Sequence, residues 1–288
     1  MSAAGQSANE GRIRGEVNYI RNPPPPGEAA LTFVTEDETQ STMATLPGKP
    51  VWIRDMRGTP TSLDAEGFAL VSHTSQVADF NRIEEDPEVD QLYIGEMTSL
   101  LQQITGAAMV IMQGGGKKRY GPAAKDRLKG LNNALPALYP HGDTTDSSAA
   151  YLAEAIAAQM PGFELGNAAR WAHFNMWRSI TPPPQDYPLA LCDARSIGPA
   201  DGITVVAETV TRTTGAFSFD TTGYLHNPAH RWCYFSDMTA DEVIIFKTHD
   251  SDPARAHQVA HTAFLDPTCP PGTPTRGSVE MRAFAVFA

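Results

Sequence analysis

The sequence predicts a mainly β domain with flanking helices, arranged as a sandwich or barrel. Three observations lead there. From residue 171 onward the chain breaks into short β-branched or aromatic stretches separated by Pro, Gly and Asp turns. Two stretches carry apolar residues at helical spacing. No internal repeat and no boundary of a second domain interrupts the pattern. The expectation is therefore one domain over 1–288, with a β core over about 107–288 and a disordered start at 1–11.

In order along the chain, "NPPPPG" (22–27) reads as a stiff extended connector. "KPVWIRDMRG" and "GFALVSHTS" read as strands joined by a turn-rich link. After Pro87, the residues Val89, Leu92, Tyr93, Met97, Leu100, Leu101 and Ile104 recur at helical spacing, and Gly106 ends the run. "AAMVIMQ" (107–113) reads as a buried strand, and "GGGKKRYG" after it as a mobile surface loop. "DSSAAYLAEAIAAQM" reads as a second helix, with Asp146 and Ser147 as caps and Pro161-Gly162 as its stop. Strands are then expected in "WAHFNMWRSI", "LALCDAR", "ITVVAETV", "HRWCYFSD", "EVIIFKTHD", "AHTAFLD" and "SVEMRAFAVF".

Composition excludes several function classes. The 288 residues are 41% hydrophobic and 19% charged, enough for a sizeable core. Lys and Arg number 22 against 33 Asp and Glu, a formal charge of −11, so no nucleic acid partner is expected. No apolar run is long enough to span a bilayer, so no membrane partner is expected. The first residues lack the apolar stretch of a secretory signal. Three cysteines, Cys192, Cys233 and Cys269, have no metal spacing, which fits a reduced cytoplasmic setting.

The chemistry-bearing motifs are few. "GGGKKRYG" lacks the Gly-Lys-Ser/Thr ending of a phosphate loop, although its cations could greet an anionic substrate. Ser147 and Ser148 lack a nucleophile elbow, and helix capping accounts for them. "HGD" (141–143) remains. A one-residue gap on a strand puts His141 and Asp143 on one face, with Gly142 turned away. Alone this is also compatible with a loop hydrogen bond. With a distant second His it makes a facial triad, which leaves half of an octahedral Fe(II) open. His261 is the candidate third ligand. Arg276 and Ser278 follow with same-face spacing, where a guanidinium and a hydroxyl could grip a carboxylate, as the far end of 2-oxoglutarate requires. The plainer reading of Arg276 is a surface residue at the mouth of "PTCPPGTPTR".

The order H-x-D, His, R-x-S resembles the Fe(II)/2-oxoglutarate-dependent oxygenases. More closely, "NMWRSI", "PLALCDARS", "NPAHRWCYFSDMTADEVIIFK", "AHTAFLDP" and "RGSVEMRA" resemble the AsaB/CmcJ/NvfI-like hydroxylase/desaturase family of secondary metabolism. The resemblance runs from about residue 67 to the end and is densest over 171–288. It implies a double-stranded β-helix (jelly roll, cupin-like fold) and Fe(II) on His141, Asp143 and His261. It implies 2-oxoglutarate as co-substrate, with Arg276 and Ser278 at its far carboxylate and Arg282 in reserve.

Several assignments stay open at this stage. Four histidines compete for the third ligand position: His226, His230, His249 and His261. His261 is preferred because R-x-S follows it, and His230 is the rival. His249 stands where the family is not expected to carry histidine. Arg178 binds co-substrate or substrate, or pairs in the core with Asp193 or Glu280. Asp193 and Arg195 alternate on a strand as an ion pair. Trp177, Trp232 and Tyr234 line or pack the barrel. The resemblance implies O2 and a small-molecule substrate, oxidised by hydroxylation, desaturation or cyclisation. A homodimer is a further expectation. The alternative is a non-catalytic or 2-oxoglutarate-independent metal-binding jelly roll.

Overall fold

The computed structural model describes residues 11–21, 23, 30–34, 41–124, 135–211 and 215–288. Most of the start and of the proline-rich connector thus lies outside the described residues. Chain order gives β1 (Arg12–Val17), β2 (Leu31–Val34), β3 (Lys49–Asp55), β4 (Phe68–Ser72), α1 (Pro87–Thr105), β5 (Met109–Met112), β6 (Lys117–Tyr120), β7 (His141–Gly142) and α2 (Asp146–Ala157). It continues with β8 (Arg170–Ser179), β9 (Leu189–Cys192), β10 (Gly202–Thr211), β11 (Gly215–Tyr224), β12 (Trp232–Tyr234), β13 (Glu242–Asp250), β14 (His261–Ala263) and β15 (Gly277–Phe287).

These strands form two sheets. One runs β1-β3-β12-β9-β14-β7-β11-β10-β2, the other β4-β13-β8-β15-β5, with β6 also paired to β15. From β12 to β15 the chain alternates between the sheets, the passage that winds a jelly roll. Pairing is antiparallel except where β2 joins β10 and β3 joins β12, both parallel. The N-terminal strands therefore extend the core at the sheet edges rather than forming a separate layer. Between the sheets, Trp177, Leu189, Leu191, Phe235, Ile244 and Phe246 pack together.

The helices have local causes. Asp86 caps α1 through Glu88 N and Val89 N, Pro87 opens it, and Gly106 closes it at φ 68°, a conformation that favours glycine. Tyr93, Met97, Leu100 and Leu101 bury against β8, β13 and β15 through Phe174, Met176, Ile245 and Met281. Leu92 and Ile104, expected on the same stripe, lie at its exposed margin. Thr145 caps α2 in a reciprocal pair with Ser148, so Asp146 is the first helical residue rather than the cap. Ala153 and Ile156 pack on Phe284 and Val286 and close one end of the sandwich.

Two further expectations are corrected. "GGGKKRYG" is not a free loop, because Lys117–Tyr120 is a strand on β15. Lys118 is buried and pairs with Glu85 at 2.8 Å. Asp193 and Arg195 do pair, at 2.7 Å, but on a 3-10 turn after β9 where Asp193 also accepts from Arg195 N.

Arg178 has a different role from the expected one. Its strand alternation places it with Phe174 and Met176 on the α1 side of β8, away from the interior. It donates to Tyr93 Oη at 3.0 Å, to His73 O at 3.1 Å, to His73 Nδ1 at 2.8 Å and to Ala240 O, and stacks on Phe80 and Tyr93. Neither Asp193 nor Glu280 is a partner. Arg178 is thus a tie between α1, β8 and the loops after β4 and before β13, satisfied without any co-substrate. Arg178→Leu strands several buried acceptors, so denaturant unfolding should show a loss of about 3 kcal/mol. Metal affinity of the folded variant should stay within about twofold of the parent, since a deleted contact on the opposite face leaves distant sites additive.

Candidate metal centre

The interior faces of both sheets meet around Asp143. His141 on β7 and His261 on β14 are directly paired neighbours in the first sheet, and their rings lie 4.2 Å apart. Asp143 follows β7 and turns inward beside them. His141 Nε2 is 3.7 Å and His261 Nε2 3.8 Å from the same oxygen, Asp143 Oδ1. Each imidazole is oriented by the same device: its Nδ1 lies against a backbone carbonyl two residues back, Tyr139 O at 3.0 Å and Val259 O at 3.2 Å. With Nδ1 donating there, Nε2 presents a lone pair inward.

The second sheet holds the other side of the carboxylate. Asn175 Nδ2 on β8 donates to Asp143 Oδ2 at 2.7 Å, and Arg282 Nε on β15 at 3.1 Å. Asn175 and Arg282 are paired in register, so one rung of the sheet delivers both. Arg282, the reserve carboxylate binder, is thereby committed to Asp143, and also lies 3.8 Å from Glu280.

Gly142 has a specific steric reason. A Cβ there would meet the Gln258 amide at 2.5 Å. That amide is held by its donations to Thr144 O and Thr248 O and by the Tyr224 hydroxyl. Gly142 therefore faces a part-buried hydrogen-bond hub, not open space.

The charges follow from this packing. Burial by itself would raise the Asp143 carboxyl, but Arg282, the two imidazoles and Asn175 outweigh it and hold the group well below the usual carboxylate range. Burial, followed by the neighbouring His261, pushes His141 down to about 4, and burial lowers His261. The donor set is two neutral imidazoles and one carboxylate, whose ligand atoms all lie within 4.8 Å of one another, which fits a divalent metal with open positions.

The other histidines are engaged elsewhere. His230 Nδ1 pairs with the Tyr19 hydroxyl at 2.9 Å and Nε2 with Asp201 at 3.1 Å, so both nitrogens are taken on the outer side of the first sheet. His226 packs edge-on against Tyr19. His173 bridges Gln113 and Ala149 O. His249 stands on β13 against Trp171.

Arg276 and Ser278 lie where the interior face of β15 begins. Arg276 is 2% exposed and sits over Trp177, 5.4 Å from the ring centroid. Its Nη1 donates to Tyr187 O at 2.7 Å, but its Nε is buried without an acceptor. Among the described residues no carboxylate comes within ion-pair distance of this guanidinium. Burial and then Arg119 lower it to about 10. A buried cation with an unused donor suits an anionic ligand at this spot. Ser278, two residues on and on the same face, donates weakly to Arg119 O, at 3.4 Å. Asn175 and Gln258 were not expected from the sequence. Alternation on β8 puts Asn175 on the face of Trp177, but its partner is fixed only by register.

A family model described as an oxidoreductase/YMDC permease-like domain matches residues 17–287, and the chain belongs to that family. Hydroxylase/desaturase efuI of Hormonema carpetanum is 29% identical, covering 92% of this chain and 91% of its own. The alpha-ketoglutarate-dependent dioxygenase phiK of a fungal species is 28% identical, covering 97% and 98%. A solved structure of the iron and alpha-ketoglutarate-dependent endoperoxidase NvfI superposes with TM-score 0.81 at 24% identity, over 96% of this chain and 98% of that one, and shares the jelly-roll fold. No helix of the described residues is long and apolar enough to cross a membrane.

Two outcomes test the centre. His141, His173 and His249 all protonate only near pH 4 when folded, against 6.5 for an ordinary imidazole. The unfolded chain therefore takes up more protons between those values. Metal-free stability should fall as pH drops from about 6.5 to about 4, by up to about 1.4 kcal/mol per pH unit for each histidine, read by denaturant midpoints. Separately, His261→Ala should abolish high-affinity Fe(II) uptake in equilibrium dialysis, while His230→Ala should lower thermal stability and leave uptake intact. The reverse pattern would move the third ligand to His230.

Proposed function

We propose that this protein is a non-heme Fe(II)- and 2-oxoglutarate-dependent dioxygenase that oxidises a small molecule of secondary metabolism. The convergence of His141 Nε2, His261 Nε2 and Asp143 Oδ1 on one interior point carries the reading. The names of the relatives support it: one is an alpha-ketoglutarate-dependent dioxygenase, and others are hydroxylase/desaturases. The whole chain is read as one domain that serves this site.

In this reading His141, Asp143 and His261 hold Fe(II), and Arg276 with Ser278 receives the far carboxylate of 2-oxoglutarate. The bound pair supplies oxidative decarboxylation by O2 coupled to oxidation of a C–H bond. The chain's own residues do the rest. Tyr139 O and Val259 O fix the two ring orientations, so the nitrogens are presented without reorganisation. Asn175 and Arg282 occupy Asp143 Oδ2, which leaves Oδ1 as the carboxylate oxygen that would hold the metal beside the two imidazoles. Arg276 presents Nε inward over Trp177 and meets a carboxylate that needs a cation away from the metal. Phe246, whose ring lies 4.7 Å from that of His261, and Trp177 give the interior an apolar wall, which excludes water and favours an apolar substrate. Which part of the substrate this wall holds toward the metal ligands would bear on whether hydroxylation, desaturation or cyclisation follows. A cytoplasmic location and a homodimer, measurable by fractionation and light scattering, belong to the same proposal.

Anaerobic addition of Fe(II) and 2-oxoglutarate should produce a weak visible charge-transfer band, and a protein that only binds metal would lack the 2-oxoglutarate-dependent part. Arg276→Ala removes a charge-assisted bond of about 1.5–3 kcal/mol and should raise the 2-oxoglutarate requirement roughly tenfold to a hundredfold. Arg276→Lys should recover part of it, since an ammonium cannot reproduce the fork. Fe(II) affinity should change little in either variant. An unaltered 2-oxoglutarate requirement in Arg276→Ala would remove Arg276 from the site.

A further inference from the structure

A second constellation of ligating side chains lies apart from His141, Asp143 and His261, where the start of α2 meets the end of β13 and the segment leading into β14. Asp146 opens α2, His249 stands near the end of β13, and His257 lies four residues before His261. The three offer ligand atoms that all lie within 4.8 Å of one another. His257 Nε2 is 2.7 Å and His249 Nδ1 3.7 Å from the same oxygen, Asp146 Oδ1. A tetrahedral ion with ligands at about 2.0–2.1 Å sets its donor atoms roughly 3.3 Å apart, so to seat one the His257–Asp146 pair would open, and the His249–Asp146 pair close, by about half an ångström each.

Two features distinguish this cluster from an ordinary surface ion pair. His249 has only 8% of its side chain exposed, and its Nδ1 is buried without a hydrogen-bond partner while facing Asp146. Such an atom is costly unless something else takes its lone pair. The ring is not free to turn away, because it stacks on Trp171 at 4.8 Å and 18° and meets the edge of His257 at 4.6 Å. Burial also keeps it neutral, at about 4, the form that binds metals. The second feature is His257. Its Nδ1 lies against Asp250 O at 3.0 Å, which turns Nε2 toward Asp146. This is the same orienting contact that His141 and His261 make. The Asp146 carboxylate is 84% exposed, so an ion has a path from solvent.

We propose that Asp146, His249 and His257 form a second metal site, for a late first-row divalent cation and Zn2+ foremost, with water completing the coordination. Two imidazoles and one carboxylate favour zinc or its neighbours over magnesium or calcium, which prefer all-oxygen sites. Asp146 is three residues beyond Asp143, and His257 four residues before His261. An ion here ties together the two segments that enter the interior centre, and so acts as a brace on it. The inference needs only these three side chains and does not depend on the oxygenase reading.

The test is titration of the chelator-stripped full-length chain with Zn2+ against a chromophoric chelator. The parent should bind two equivalents. His141→Ala, which disables the interior centre, should still bind one, and that equivalent should raise its melting temperature. His141→Ala combined with His257→Ala, or with His249→Phe to keep a ring on Trp171, should bind Zn2+ more than about a hundredfold more weakly, since loss of even an outer partner of a ligand costs about 10–100-fold. His257 is about half exposed, so its removal leaves the core intact, and metal-free melting curves verify folding of every variant. With Co2+ as the probe, the visible absorption of His141→Ala should vanish on adding His257→Ala. If His141→Ala binds no Zn2+, or if His257→Ala and His249→Phe leave its affinity unchanged, the three residues are a hydrogen-bonded cluster and the proposal fails.

Discussion

The Asp143 carboxylate is shared between the two sheets. Oδ1 faces the imidazoles of β7 and β14, while Oδ2 takes hydrogen bonds from Asn175 on β8 and Arg282 on β15. A buried carboxylate in this position is tolerable only because four groups from two sheets meet it. Strand pairing on both sides is constrained by that requirement. His141 must stand opposite His261, and Asn175 opposite Arg282, or the charge is left without partners. A register slip of one residue in either sheet would turn these side chains to the wrong face. The metal donor set and the packing of the sandwich are therefore one problem, solved by the same few residues.

Two fully buried arginines show how facing decides role. Arg178 lies on β8 and Arg276 immediately before its neighbour β15, and they are almost equally buried. Arg178 points to the α1 side and spends its donors on Tyr93, His73 and Ala240. Arg276 points inward and retains Nε without an acceptor. A structural arginine exhausts its donors within the fold. One that keeps a buried donor unused has been given burial without satisfaction, a cost that a ligand carboxylate can offset. The same reasoning applies to His249, whose unpartnered nitrogen stands out among histidines that are otherwise hydrogen-bonded or surface-packed.

The segment from 251 to 263 connects these features. His257, Gln258, Val259 and His261 lie within five residues, and each serves a different neighbour: Asp146, the carbonyls of Thr144 and Thr248, the ring of His261 and the interior. Gln258 fills the space that Gly142 leaves, so the short β7 strand is clamped from behind while its histidine faces forward. The arrangement gives a two-residue strand the positional certainty that a longer ladder would otherwise supply.

Much of this was legible in the sequence. Turn-separated β-branched stretches announced the β sandwich, and the 87–106 periodicity announced α1 with its Gly106 end. The H-x-D spacing and the later R-x-S put each pair on one face, because strand alternation is a local property of the backbone. Tertiary structure alone decided the rest. Lys117–Tyr120 becomes a strand because β15 offers it an edge, which no local signal in a glycine-rich stretch reveals. His261 rather than His230 stands beside His141 because β14 and β7 are neighbours, whereas His230 is consumed by Tyr19 and Asp201. Arg178 is turned from the interior by the parity of β8 relative to α1, and Arg282 is drawn to Asp143 by register with Asn175. Periodicity tells which residues share a face, but the partner across the sheet depends on contacts between residues far apart in the chain, and those exist only once the two sheets have closed on one another.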